Sequence, residues 1–172
     1  MKKRGRRTKK RAGKKVKKHV NFRVLIVCLI LVFLVAFIGS SFTSKSVNSG
    51  WYEKVKPSIT PPNFVFPIVW TILFILIALS LYLAWIYGDS NQRVVIAISF
   101  GLNFFFNIAW SAFYFGMKNI LMGFVDIMFL WLSVILLLKV TYKIDRKSFY
   151  LLIPYFLWVS FAAILNRLSL RI

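Results

Sequence analysis

Apolar residues in this chain come in long unbroken runs. Residues 24–44, 64–88, 94–117 and 148–166 carry no charge at all, and residues 119–138 carry one, Asp126. None of the runs alternates with the period of two that a transmembrane barrel requires. Each is close to the roughly 20 residues that a helix rising ~1.5 Å per residue needs to cross a ~30 Å hydrocarbon core. Only helices and closed barrels span a bilayer, so the pattern predicts an all-α membrane protein, a five-transmembrane-helix bundle. The expected spans are about 23–43, 64–88, 93–116, 118–141 and 147–168, within a single domain at 21–172. Connections such as 89–93 and 117–118 are short, which makes neighbouring helices antiparallel. Only the first, at about 45–63, is long.

Composition agrees: 59% of residues are hydrophobic and the mean hydropathy is +0.73, well above a soluble domain. Charge adds a second region. Of 24 basic residues, thirteen lie in the first 23 positions, so residues 1–20 read as a disordered polybasic tail. With five spans, the tail's side of the membrane also holds Arg93, Lys139, Lys143, Arg146 and Lys147; the other side holds Lys45, Lys54, Lys56, Lys118, Arg167 and Arg171. This excess places the N-terminus in the cytoplasm, in a plasma (inner) membrane. The tail has no interleaved aromatics to stack on bases, which argues against nucleic acid. Its place before a membrane helix suits attraction to anionic lipid headgroups. The first apolar run is long for a signal peptide, and Gly39-Ser-Ser-Phe-Thr is a poor cleavage site, so a retained helix is expected.

The single cysteine, Cys28, lies in the first run and the single histidine, His19, in the tail. A disulfide, a cysteine zinc site, a His-ligated metal and a Ser-His-Asp triad are thereby excluded from the bundle. Four of the five prolines, Pro57, Pro61, Pro62 and Pro67, crowd the entrance to the second run. The first three force extended backbone, so residues 56–63 should form a stiff lid across the membrane surface; Pro67 is tolerated in the first helical turn.

Inside the runs, Trp70, Trp110, Trp131 and Trp158 fall on four different helices and could together form an aromatic wall. Trp51 and Trp85 fall near helix ends, where indoles anchor at the interface. Asn103, Asn107 and Ser111 recur every four residues and form one polar stripe, open to interhelical hydrogen bonding or to ligand contact. Asp126 is the one acid inside a span; it could bond a neighbouring indole N–H or serve a ligand or a proton. Ala97 and Gly101, four apart, would allow close helix approach and a homodimer through the third span.

The segments WYEKVKPSITPP, FVFPIVWT, LNFFFNIAWSAFYFG and IPYFLWVSFAAILN, in this order over residues 49–166, resemble the TspO/MBR family of tryptophan-rich sensory or translocator proteins. Ile59, Phe64 and Asn103 depart from its usual pattern. The resemblance implies a five-helix bundle that binds tetrapyrroles such as protoporphyrin IX or haem, as a receptor-like sensor, sequestrant or carrier, with no firm catalytic residues. It implies ligand contacts from Lys56, Pro57, Trp70, Asn103, Asn107, Trp110, Trp131, Trp158, Phe161 and Ala162. A flat apolar macrocycle with two carboxylates calls for such aromatic walls, a few amide or indole donors, and a cation at the rim. Two alternatives stay open: light-dependent oxidation of bound porphyrin with Trp70 and Trp158 as relays, and sterol or small-lipid binding or transport.

Overall fold

A computed structural model of the protein describes residues 20–172. The helices are α1 (Phe22–Val47), a short α2 (Gly50–Val55), α3 (Val65–Tyr87), α4 (Ser90–Ser111), α5 (Ile120–Ile144) and α6 (Arg146–Ser169); α4 runs on through a π turn, Ala112–Gly116. The five long helices are each long and apolar enough to cross a membrane. The expectations for the tail (disorder, lipid contact and its part in orientation) fall outside the described residues, save for exposed Val20.

Side-chain caps decide where the helices start. Asp89 accepts from Gln92 N (2.9 Å) while Gln92 Oε1 accepts from Asp89 N (3.0 Å), a reciprocal box that starts α4 at Ser90, three residues before the expected start. Asn119 accepts from Met122 N at 3.0 Å, so α5 begins at Ile120, after Lys118 has turned the chain with φ 55°. α1 outruns its expected end by four residues. Ser40, Ser41 and Thr43 bond back to carbonyls three or four residues earlier, which satisfies their hydroxyls on the helix itself. Lys45 in the last turn suits the negative end of the helix dipole.

The lid departs from the expected extended strap. Residues 50–55 are helical, and the proline segment folds into two tight turns, Thr60 N donating to Pro57 O (3.0 Å) and Val65 N to Pro62 O (2.9 Å). Pro57 and Pro62 stand first in these turns and contribute only their carbonyls, so the missing proline N–H costs neither turn a bond.

Around the bundle the order is α1–α3–α6–α5–α4, closing on α1. α3 and α4 barely touch, and α1 lies across the seam between them. Tyr155, Phe100, Ile77, Ile96 and Leu130 are fully buried, whereas Ile26, Phe37, Ile98, Phe105 and Leu157 point outward, as lipid-facing side chains do. At the α4–α5 hairpin Gly123 is required: a Cβ there would lie 2.9 Å from Tyr114 Cβ. That contact seats Tyr114 within the π turn.

Candidate ligand cavity

The seam between α3 and α4 opens into a cavity of about 610 Å3, within the range typical of small-molecule sites. α1 supplies Gly39, Ser40 and Thr43; the loop supplies Asn63; α3 supplies Phe66 and Trp70, and α4 Asn107, Trp110 and Ser111. The indoles of Trp70 and Trp110 stand 6.3 Å apart at 32°, and Trp70 stacks on Phe74 at 5.4 Å, giving one broad aromatic wall. Hydroxyls and amides make up the polar part of the lining, and no charged side chain belongs to it.

Hydrogen bonds behind the wall fix it in place. Asn103 donates to Ser133 Oγ (2.9 Å) and accepts from Tyr155 OH (3.2 Å), and Asn107 donates to the same phenol oxygen (3.3 Å). Trp110 Nε1 donates to Asn166 Oδ1 at 2.7 Å. These bonds tie α4 to α5 and α6, so the rotamers of Asn107 and Trp110 are set from outside the cavity.

Trp70, Asn107 and Trp110 are therefore brought together at the cavity, with Ser111 of the polar stripe. Asn103 is buried and spends its amide on the interhelical network. Trp158 stands one ring behind the lining, 5.8 Å from Phe66 and 5.7 Å from Phe161, with its indole N–H buried and unpartnered. Trp131 faces α6, donating to Ser160 Oγ at 2.8 Å. Phe161 and the buried Ala162 lie outside the lining. Pro57 is buried in the loop, and Lys56 pairs with Glu53 at 2.6 Å, outside the cavity. That contact holds the Glu53 carboxyl below its usual range.

Asp126 is buried, but no indole reaches it: those of Trp110 and Trp131 bond Asn166 and Ser160, and Asp126 Oδ2 has no partner. The expected Asp126–indole bond is thus not formed, because each of these donors finds a neutral oxygen on α6 instead.

The α1 wall, Asn63 and Phe66 went unrecognised in the sequence. Their signal is Gly39-Ser-Ser-Phe-Thr-Ser, a small and hydroxyl-bearing run inside an otherwise aliphatic helix. Tyr155, three residues before Trp158, was likewise passed over.

The profile of the TspO/MBR family matches residues 27–169. The chain is 38% identical over 152 residues to the tryptophan-rich protein TspO of Chlorobaculum tepidum, covering 86% of this chain and 94% of that protein. It is 40% identical over 151 residues to the protein of the same name from Archaeoglobus fulgidus, covering 86% and 95%. It is 29% identical over 147 residues to the tryptophan-rich sensory protein of Cereibacter sphaeroides, covering 84% and 90%. Five apolar spans in one ring, the Trp-bearing motifs on them and a match along nearly the whole helical domain converge: this is an integral membrane protein of the TspO/MBR family.

Proposed function

We propose that the chain is a membrane-embedded binding protein for a tetrapyrrole such as protoporphyrin IX or haem, acting as its sensor, sequestrant or carrier. The observation that carries this is the Trp70–Trp110 wall, 6.3 Å between centroids, on a cavity of about 610 Å3 with a neutral lining. A flat aromatic macrocycle gains most from such a face, and Asn107 and Ser111 offer hydrogen bonds to its polar atoms. With no cation in the lining, the carboxylates of a protoporphyrin fit at the mouth, beside the loop. The relative from Cereibacter sphaeroides, named a sensory protein, is in keeping with the role. Titration with protoporphyrin IX should quench tryptophan emission with low-micromolar or tighter affinity. Unchanged emission at saturation together with no heat of binding would overturn the proposal.

A second possibility is light-driven oxidation of the bound porphyrin. Its support is a succession of oxidisable rings leading away from the cavity: Trp70 to Trp110 (6.3 Å), Trp110 to Tyr114 (5.9 Å) and Tyr114 to Trp51 (5.8 Å). Trp70→Phe keeps the stacking face and removes the oxidisable indole. Under illumination in air it should slow loss of the porphyrin spectrum while affinity changes by no more than about threefold. Equal loss in wild type and variant leaves the binding role alone.

A further inference from the structure

The same α1–α3–α4 seam opens a second time, nearer the start of α1, into a groove of about 520 Å3. Its walls are aliphatic and aromatic, among them Val27, Leu31, Leu81 and Phe104, with Cys28 on its floor. Arg23 is the one charged residue of the lining. A second guanidinium stands at the edge: Arg93 lies 5.7 Å from the centroid of Trp85, itself part of the wall, and donates through Nε to Trp85 O at 3.1 Å. Among the described residues the one ion pair is Lys56–Glu53, at the far end of the bundle, so neither arginine meets an acid.

The geometry points to an anionic phospholipid as the occupant, its phosphate held by Arg23 and Arg93 and one acyl chain lying in the groove. Three observations select this chemistry. The first is polarity: cations occur at one end only, beside an indole of the type that settles at headgroup depth. A guanidinium presents a planar fork of donors that matches phosphate oxygens.

The second is depth. From Arg23 to Leu31 the α1 wall rises ~12 Å, against ~15 Å for half a hydrocarbon core, so the groove runs from headgroup level to near the midplane of a single leaflet. That is the reach of one lipid tail, not of a membrane-spanning ligand.

The third is room. Ala97 and Gly101 line the groove, and a Cβ added at Gly101 would meet nothing within 4 Å. These are the two small residues that the sequence suggested for helix-to-helix contact. Here they border a hollow, and a second copy seated on this face would bring two sets of unneutralised arginines together. An anionic lipid fills the hollow and offsets one of the two positive charges at once. This site is separate from the general attraction of the basic tail for anionic headgroups.

The test is native mass spectrometry of the full chain released from phosphatidylcholine nanodiscs doped with phosphatidylglycerol. Wild type should retain one phosphatidylglycerol per chain in preference to phosphatidylcholine. Arg23→Gln should cut that preference roughly fivefold. Gly101→Leu fills the groove while leaving every charge in place, and should abolish the one-per-chain retention; Ala97→Leu, one turn away, should do the same if the first variant folds poorly. Circular dichroism on each variant establishes that the bundle is intact. Equal retention of the two lipids overturns the proposal, leaving ordinary boundary lipid. So does undiminished phosphatidylglycerol in the intact leucine variants, which would assign the preference to the tail. So does a lipid-free dimer that both leucine substitutions dissociate, which would make this face a contact between copies.

Discussion

The two openings of the α1–α3–α4 seam are built on the same three helices and differ in what lines them. The cavity near the loop has paired indoles, amides and hydroxyls, and no charge. The groove near the start of α1 has aliphatic walls and an arginine. In lipid, apolar packing alone gives little drive to close a gap between helices, because tails are as apolar as leucine. A seam bridged by a single helix therefore stays open wherever side chains are short, and the local residues decide what each opening accepts. Gly39, Ser40 and Thr43 make room at one end; Ala97 and Gly101 make it at the other.

A crossed pair of substitutions gives the sharpest break between the two. Ser40→Trp should occupy the loop-side cavity and weaken protoporphyrin IX binding by ~100-fold, a loss of ~3 kcal/mol, while phosphatidylglycerol retention is unchanged. Gly101→Leu should do the reverse. Fluorescence titration and native mass spectrometry on both variants check this, and a variant that lowers both ligands alike would show the openings to be one continuous site.

An intermediate effect is expected from Tyr155→Phe. It strips the partner from Asn103 Oδ1 and Asn107 Nδ2, at a cost of ~1–2 kcal/mol for polar groups left buried between helices. The thermal midpoint should fall and porphyrin affinity drop modestly as Asn107 loosens. The groove, which none of these side chains lines, should keep its lipid.

The smallest effect belongs to the loop. Glu53 is depressed by its contact with Lys56, so the pair's contribution is present above the ordinary glutamate value of about 4.3 and fades as pH falls through the lower folded value. The carboxyl is exposed to solvent, where such pairs contribute little. Glu53→Gln should leave the thermal midpoint at neutral pH unmoved and erase only a slight acid-side dependence. A clear loss of stability at neutral pH would mean that the lid does more to hold the cavity shut than its surface pair suggests.

The helix count was legible because charge-free runs of membrane length admit few other structures. The ends were less so: Asp89, Asn119 and Asp145 each cap a helix start with a side chain, and a cap depends on a local bond that hydropathy does not register. At the cavity, Trp70, Asn107 and Trp110 were named by the family resemblance; the indoles on separate helices and the four-residue amide spacing agreed with it but left packing and ligand contact both open. The α1 wall was missed. Serine and threonine satisfy themselves on their own helix, so a run of them looks like filler until the neighbouring helices show what stands opposite. Trp158 shows the limit of residue type: an indole on the expected helix still lies one ring away from the lining.

One property of α1 bears on how anything gets in. Among the described residues, its hydrogen bonds to the rest of the chain lie near its ends: Asn21 N to Tyr82 OH at one, and Ser46 to Phe115 O with Asn63 to Val47 O at the other. α4, α5 and α6 are instead cross-linked at mid-depth through Asn103, Ser133 and Tyr155. α1 is thus a strung bow beside a braced frame. Flexing its middle breaks no polar contact, and the gap that opens faces hydrocarbon, where a greasy guest already dissolves. For the ligand proposed above, this puts the way in on the side of the bundle, with the bilayer as the corridor that leads to it.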